Sequence, residues 1–256
     1  MPDQPSAVLS TTASVDGLLD LARSRAKAGD SAGAGRTFAA ALHLAEASGL
    51  WGPTARAQTW LAGIDVKRGQ LDLARQRLDL AWAMVNEHAL PAEVRGQVGA
   101  QLGQVLVFQG HPGPGAALMH SAIADLRSTG QQQEAGELEL ALAAICDRVD
   151  RAVDQAPPGS TERVHALLRR ARTRLAVGQA SAARADLAGA WQCADTMPVA
   201  LRVQVGLHYG KLLLAAGPHH TDQARAVLQA TRLISKDSDQ QAVLDELLAC
   251  AAQPAD

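Results

Sequence analysis

The chain has 256 residues, of which 47% are hydrophobic and only 3% aromatic. That is enough apolar material for a sizeable core, which excludes disorder, and its bias to Ala and Leu favours helices packed through small residues over a sheet. Formal net charge is -2, from 24 Lys+Arg against 26 Asp+Glu, so no long-range field draws the molecule toward nucleic acid or an anionic membrane.

Residues 1–14 carry the acidic Asp3 and two prolines where an export signal needs positive charge and then an apolar run, and they read as a flexible N-terminus. No stretch approaches the ~20 consecutive apolar residues that span a bilayer. Cys146, Cys193 and Cys250 lie far apart without CxxC spacing. They suit unpaired thiols in a reducing compartment, each as a small buried hydrophobe, and the expected location is cytoplasmic.

From residue 15 onward one pattern recurs. A helix ends at a Gly, a polar residue follows, and a small residue five places beyond the Gly opens a second apolar series. The copies are Gly29-Asp30 with Ala34, Phe38, Ala41 and Leu42; Gly69-Gln70 with Ala74, Leu78, Ala81 and Trp82; Gly110-His111 with Gly115, Met119, Ala122 and Ile123; and Gly178-Gln179 with Ala183, Leu187, Ala190 and Trp191. A fifth, Gly217 with Ala224 and Leu228, fits if two residues are inserted within Pro218-His219-His220. The Gly accepts the left-handed backbone that closes a helix, the small residue lets the returning helix approach, and the series makes one apolar stripe. Hairpins are expected at about 15–48, 54–89, 93–129, 161–195 and 199–235.

Between the third and fourth copies, 131–156 has helical composition without a turn signal until Pro157-Pro158-Gly159-Ser160, and reads as one long helix or a degenerate pair. Ser160, with Glu162, is placed to cap the helix that follows. The segment 237–252 carries Val243, Leu244, Leu247 and Leu248 and reads as a terminal capping helix, with 253–256 as a flexible tail. A face around Leu244 and Leu248 offers a surface for homo-oligomer formation.

Over roughly residues 15 to 232 these offsets resemble tetratricopeptide (TPR) repeats. The Gly of the turn, the small residue after it and the trio Phe38-Ala41-Leu42 stand in the expected places, and Leu21-Ala22, Leu61-Ala62, Leu102-Gly103 and Tyr209-Gly210 match the large-then-small pair of the first helix. The period of ~40 exceeds the usual 34 and is similar to kinesin light chains and bacterial regulator sensor domains. Arg25, Asp65 and Arg174 fall where the family has a large, often aromatic residue. The resemblance implies an all-α fold, a right-handed α-solenoid of a single TPR-like domain over 15–252, with a concave surface lined by the first helix of each pair.

The family register places Arg23, Lys27, Arg56, Lys67, Gln97, Gln101, Gln104, His165, Arg172 and Lys211 on that surface. Such a basic, amide-rich lining suits an acidic or extended peptide. The family's carboxylate clamp is not expected here, since Leu19, Arg23, Trp60, Gln97 and Gln101 stand near its places without an Asn among them. Trp60 and Phe108 are either core between repeats or anchors of a groove.

Catalytic signals are missing. Gly29 to Thr37 has Arg in place of the P-loop Lys and the wrong glycine spacing, and no HExxH, nucleophile elbow or paired CxxC occurs. His111, His120 and the pair His219-His220 lack the converging ligand set of a metal site. The expectation is a non-catalytic scaffold or adaptor binding a protein or peptide, with no cofactor, metal, nucleic acid or membrane. The alternative is a ligand-sensing regulatory module; an unrecognised metal-dependent enzyme ranks third.

Overall fold

In the structure, a computed structural model, the placement of residues 4–252 is described, with side chains from Thr11 onward. The tail 253–256 and residues 1–3 lie outside the described residues. Among those described there are twelve α-helices and no strand. They divide into two compact units, residues 1–143 and 144–256.

The first unit holds α1 (Gln4–Lys27), α2 (Ser31–Ala47), α3 (Trp51–Lys67), α4 (Leu71–Glu87), α5 (Ala92–Phe108) and α6 (Pro112–Ser128), with the first part of α7 (Gln132–Gln155). Helix α1 begins at Gln4, so residues 4–14, read from sequence as flexible, are helical. From α1 to α6 each helix packs on the next, and α3 also packs on α5. That second contact is the mark of stacked hairpins: first helices touch first helices, burying faces that one hairpin leaves open.

The apolar stripes explain the packing. Ala34, Phe38 and Ala41 are buried with Val15, Leu19 and Ala22 from α1, and Ala74 and Leu78 with Leu102 and Val105 from α5. Trp82 and Leu42 are half-buried, at the rim of these clusters. In the third hairpin both contact residues are glycines. A Cβ on Gly103 would stand 2.8 Å from the Gly115 carbonyl oxygen, and one on Gly115 would stand 2.6 Å from that of Gly103. Helices α5 and α6 therefore touch backbone to backbone.

The second unit holds the remainder of α7, then α8 (Thr161–Ala176), α9 (Ala180–Cys193), α10 (Val199–Ala215), α11 (Thr221–Ile234) and α12 (Ser238–Ala252). Its core gathers Val164, Leu167, Leu168, Ala171, Ala183, Leu187, Ala190, Leu201, Val205 and Tyr209. Helix α12 packs on α11 and α10. Asp237 caps it, its carboxylate accepting from the backbone N–H of Asp239 at 2.9 Å and of Gln240 at 3.1 Å.

The marker glycines 29, 69, 110, 178 and 217 all have positive φ, from 76° to 103°, as the turn requires. The residues placed at an insertion in the fifth turn, Pro218–His220, form a short 3₁₀ turn. Ser160 caps α8, accepting from the Arg163 N–H at 3.1 Å. The segment expected to be one helix or two is the single helix α7.

Candidate functional site

In the first unit the first helices α3 and α5 and the N-terminal part of α7 wall a cleft of about 330 Å³. Thr59 and Trp60 come from α3, Gln97, Ala100, Gln101 and Gln104 from α5, and Glu134, Glu137 and Leu138 from α7, with Leu126 and Gln131 between. Helical spacing sets this arrangement, since Gln97, Gln101 and Gln104 recur at i, i+4 and i+7 and so share one face.

Trp60 has a double role. Its ring stacks on the buried Phe38, centroids 5.5 Å apart and planes within 5°, while the half-buried side chain also lines the cleft. Phe38 thereby fixes the orientation of the indole. Opposite, Gln97 Nε2 donates to Gln131 Oε1 at 3.2 Å, which joins α5 to the start of α7. Gln101 Oε1 lies 3.5 Å from where a Cβ on Gly63 would stand, an ordinary contact at the meeting of α3 and α5.

The electrostatics of the cleft differ from those expected. Gln97, Gln101 and Gln104 line it together, and the cations assigned to the same surface are not among its lining residues. Arg56 is ion-paired with Asp16 of α1 at 3.1 Å, and Arg23 with Asp20 at 3.1 Å. Lys27 and Lys67 stand exposed in the last turns of α1 and α3. The charged lining residues are Glu134 and Glu137, and no Lys, Arg or His is among them. Phe108 is 61% exposed on α5 and does not line the cleft.

The other three expected residues belong to the second unit. His165 is exposed on α8. Arg172 and Lys211 meet at His208, a residue that sequence reasoning missed: Arg172 Nη2 lies 2.6 Å from His208 Nε2. Burial, then the charges of Arg172 and Lys211, push the His208 imidazole below its ordinary range. A guanidinium can only donate, so His208 accepts at Nε2 and carries its proton at Nδ1.

Glu134, Glu137 and Gln131 also went unforeseen, because no repeat register was assigned to 131–156. The signal that would have found them is Gly130, whose positive φ of 80° closes α6 as Gly49 closes α2. Counting α7 as a first helix from that point turns its early residues toward α5.

Among the described residues, no group of three or more His, Cys, Asp or Glu is placed to hold a metal ion, and no helix is long and apolar enough to cross a membrane. The three cysteines are unpaired; Cys146 and Cys193 are half-buried and Cys250 is exposed, so the expectation of three buried thiols fails for the last outright. Burial, with Asp150 and Asp147 nearby, raises the Cys146 thiol, which keeps it protonated.

No family profile matches the sequence, and no curated protein does. Solved structures match it at low identity and low structural overlap. The TPR2AB domain of yeast Sti1, solved as a pHSP90 complex, is 15% identical, covering 94% of this chain and 100% of its own, with a TM-score of 0.38. A thermophilic TPR protein of Thermus thermophilus is 18% identical over 92% and 99% with a TM-score of 0.36, and the S. pombe nuclear import adaptor Nro1 is 11% identical over 95% and 93% with a TM-score of 0.39. Similarity this low leaves the assignment to the chain's own helices. Hairpins closed by left-handed glycines and packed through small residues make the fold an all-α array of helical hairpins, consistent with the repeat that the sequence resembles.

Proposed function

We propose that the chain is a non-catalytic protein-interaction module, and that its first unit holds an extended peptide segment in the cleft between α3, α5 and α7. The observation that carries this reading is the lining itself: an oriented indole beside three glutamines on one helix face. Glutamine amides both donate and accept, so they can pair with the N–H and C=O of an extended backbone whatever its sequence, while the indole supplies apolar contact for one side chain. The volume of about 330 Å³ suits a side chain and a short run of backbone, at the low end of ligand sites.

Of the residues first assigned to binding, Gln97, Gln101 and Gln104 remain in this role. Arg23 and Arg56 are instead positioning residues, each holding a carboxylate of α1. Arg172 and Lys211, with His208, form a separate cationic surface in the second unit.

A peptide array probed with the full chain tests the reading. Trp60→Ala and the pair Gln97→Ala, Gln101→Ala should each lose at least about tenfold in affinity for the peptides retained, as expected when an anchor and half-buried amides are removed. Circular dichroism should show unchanged helix content. Equal binding by folded variants and the parent chain would place the peptide site elsewhere.

A further inference from the structure

The cleft has an aromatic side, an amide side and an acidic side. Glu134 and Glu137 are i, i+3 neighbours on α7, close enough to repel one another. Glu137 accepts a neutral amide, Gln133 Nε2 at 3.0 Å. None of the ion pairs found among the described residues involves either glutamate. Four arginines of the same unit are engaged elsewhere: Arg56 with Asp16, Arg23 with Asp20, Arg95 with Asp125 and Arg127 with Glu139.

We infer that the segment held in this cleft enters through a basic side chain, arginine or lysine, whose stem runs along Trp60 and Leu138 and whose charge lies against Glu134 and Glu137. The inference rests on reading the cleft as a peptide site, and adds the partner's charge. A cation there relieves the repulsion between the two carboxylates and gains charge-assisted hydrogen bonds, whereas an acidic side chain brings a third negative charge into the same space. The glutamines contribute no preference of sign, since they carry both donors and acceptors. An indole face adds attraction for a guanidinium or ammonium group lying over it. The basic, acid-seeking surface expected from sequence is therefore reversed in sign at this cleft. The reversal arises because α1 supplies Asp16 and Asp20 to Arg56 and Arg23, while α7 supplies Glu134 and Glu137 without a cation.

The test uses the full-length chain and three short acetylated, amidated peptides identical except at the centre, which is arginine, its neutral isostere citrulline, or glutamate. Binding is read from the Trp60 indole N–H resonance, assigned with Trp60→Phe. The arginine peptide should shift that resonance saturably and bind about tenfold tighter than the citrulline peptide, an advantage that shrinks as salt is raised. In the variant Glu134→Gln, Glu137→Gln the ratio of arginine-peptide to citrulline-peptide affinity should fall to about one. These are exposed helix positions, so folding should tolerate the change.

Equal affinity of the arginine and citrulline peptides, or preference for glutamate, overturns the charge inference and leaves the peptide cleft standing. Failure of all three peptides to move the Trp60 resonance overturns the cleft and the inference together. Should the double variant not fold, the comparison of peptides on the parent chain decides alone.

Discussion

Arg25, Asp65 and Arg174 occupy places where a tetratricopeptide repeat has a large, often aromatic side chain, and each makes a polar contact with the residue twelve positions on. Arg25 donates to Thr37 Oγ1 at 2.7 Å, Arg77 Nε donates to Asp65 Oδ2 at 2.8 Å, and Arg174 Nη1 donates to Asp186 Oδ2 at 2.8 Å. The same two places thus hold an acid and a base in one hairpin and a base and an acid in another. A helix-to-helix distance that is set by the small residues nearby can accept either order. Asp186, 3% exposed, is held by Arg170 as well, and the half-buried Asp150 accepts from both arginines.

A double-mutant cycle should reveal this equivalence. Asp65→Arg or Arg77→Asp alone should cost about 2 kcal/mol, less than the 3–5 kcal/mol of a fully buried pair because Arg77 is partly solvated. The double substitution should recover most of the loss in urea unfolding. Additive losses would mean that the surroundings, and chiefly Gln58, which accepts from Arg77, fix the order of the charges.

Among the elements, the hairpin α5–α6 leaves the least room. Where the first two hairpins meet through Ala22, Ala34, Ala62 and Ala74, this one uses Gly103 and Gly115, each against the other's carbonyl. Gly115→Ala should therefore destabilise by about 1–3 kcal/mol despite the better helix propensity of Ala, since the new methyl meets backbone and Val107 at 2.6 Å and neither can turn aside. A neutral or stabilising effect by thermal unfolding would show that the two helices separate freely. Between hairpins the turns are equally constrained: Ala89, with φ of 46°, takes the left-handed conformation that Gly49 and Gly130 supply after α2 and α6.

On the scale of the whole molecule, the last helix belongs to the second unit's core. Leu244, expected as part of an exposed face for self-pairing, is 0% exposed, and α12 also receives an ion pair from Arg232 to Asp245. Leu244→Ala should cost about 2–5 kcal/mol of stability, the range for a buried leucine, and leave the hydrodynamic size unchanged. A change in oligomeric state with no loss of stability would instead assign this residue to an interface between copies.

The sequence by itself determined the all-α character and the places of the glycine turns, because those depend on neighbours within a few positions. Left-handed glycines stop a helix, Ser160 starts one, and a stripe at helical spacing says which side turns inward. It also brought Gln97, Gln101 and Gln104 to one face, since three residues on one helix share a face by periodicity alone. Tertiary structure decided the rest. That Arg56 is quenched by Asp16, forty residues earlier, that Trp60 lies on Phe38, and that Glu134 and Glu137 close the cleft are facts of which surfaces stack on which. Local rules carry no information on such meetings. The net charge of a binding face is a sum over side chains that only packing brings together, and so its sign could be read only once the helices were in place.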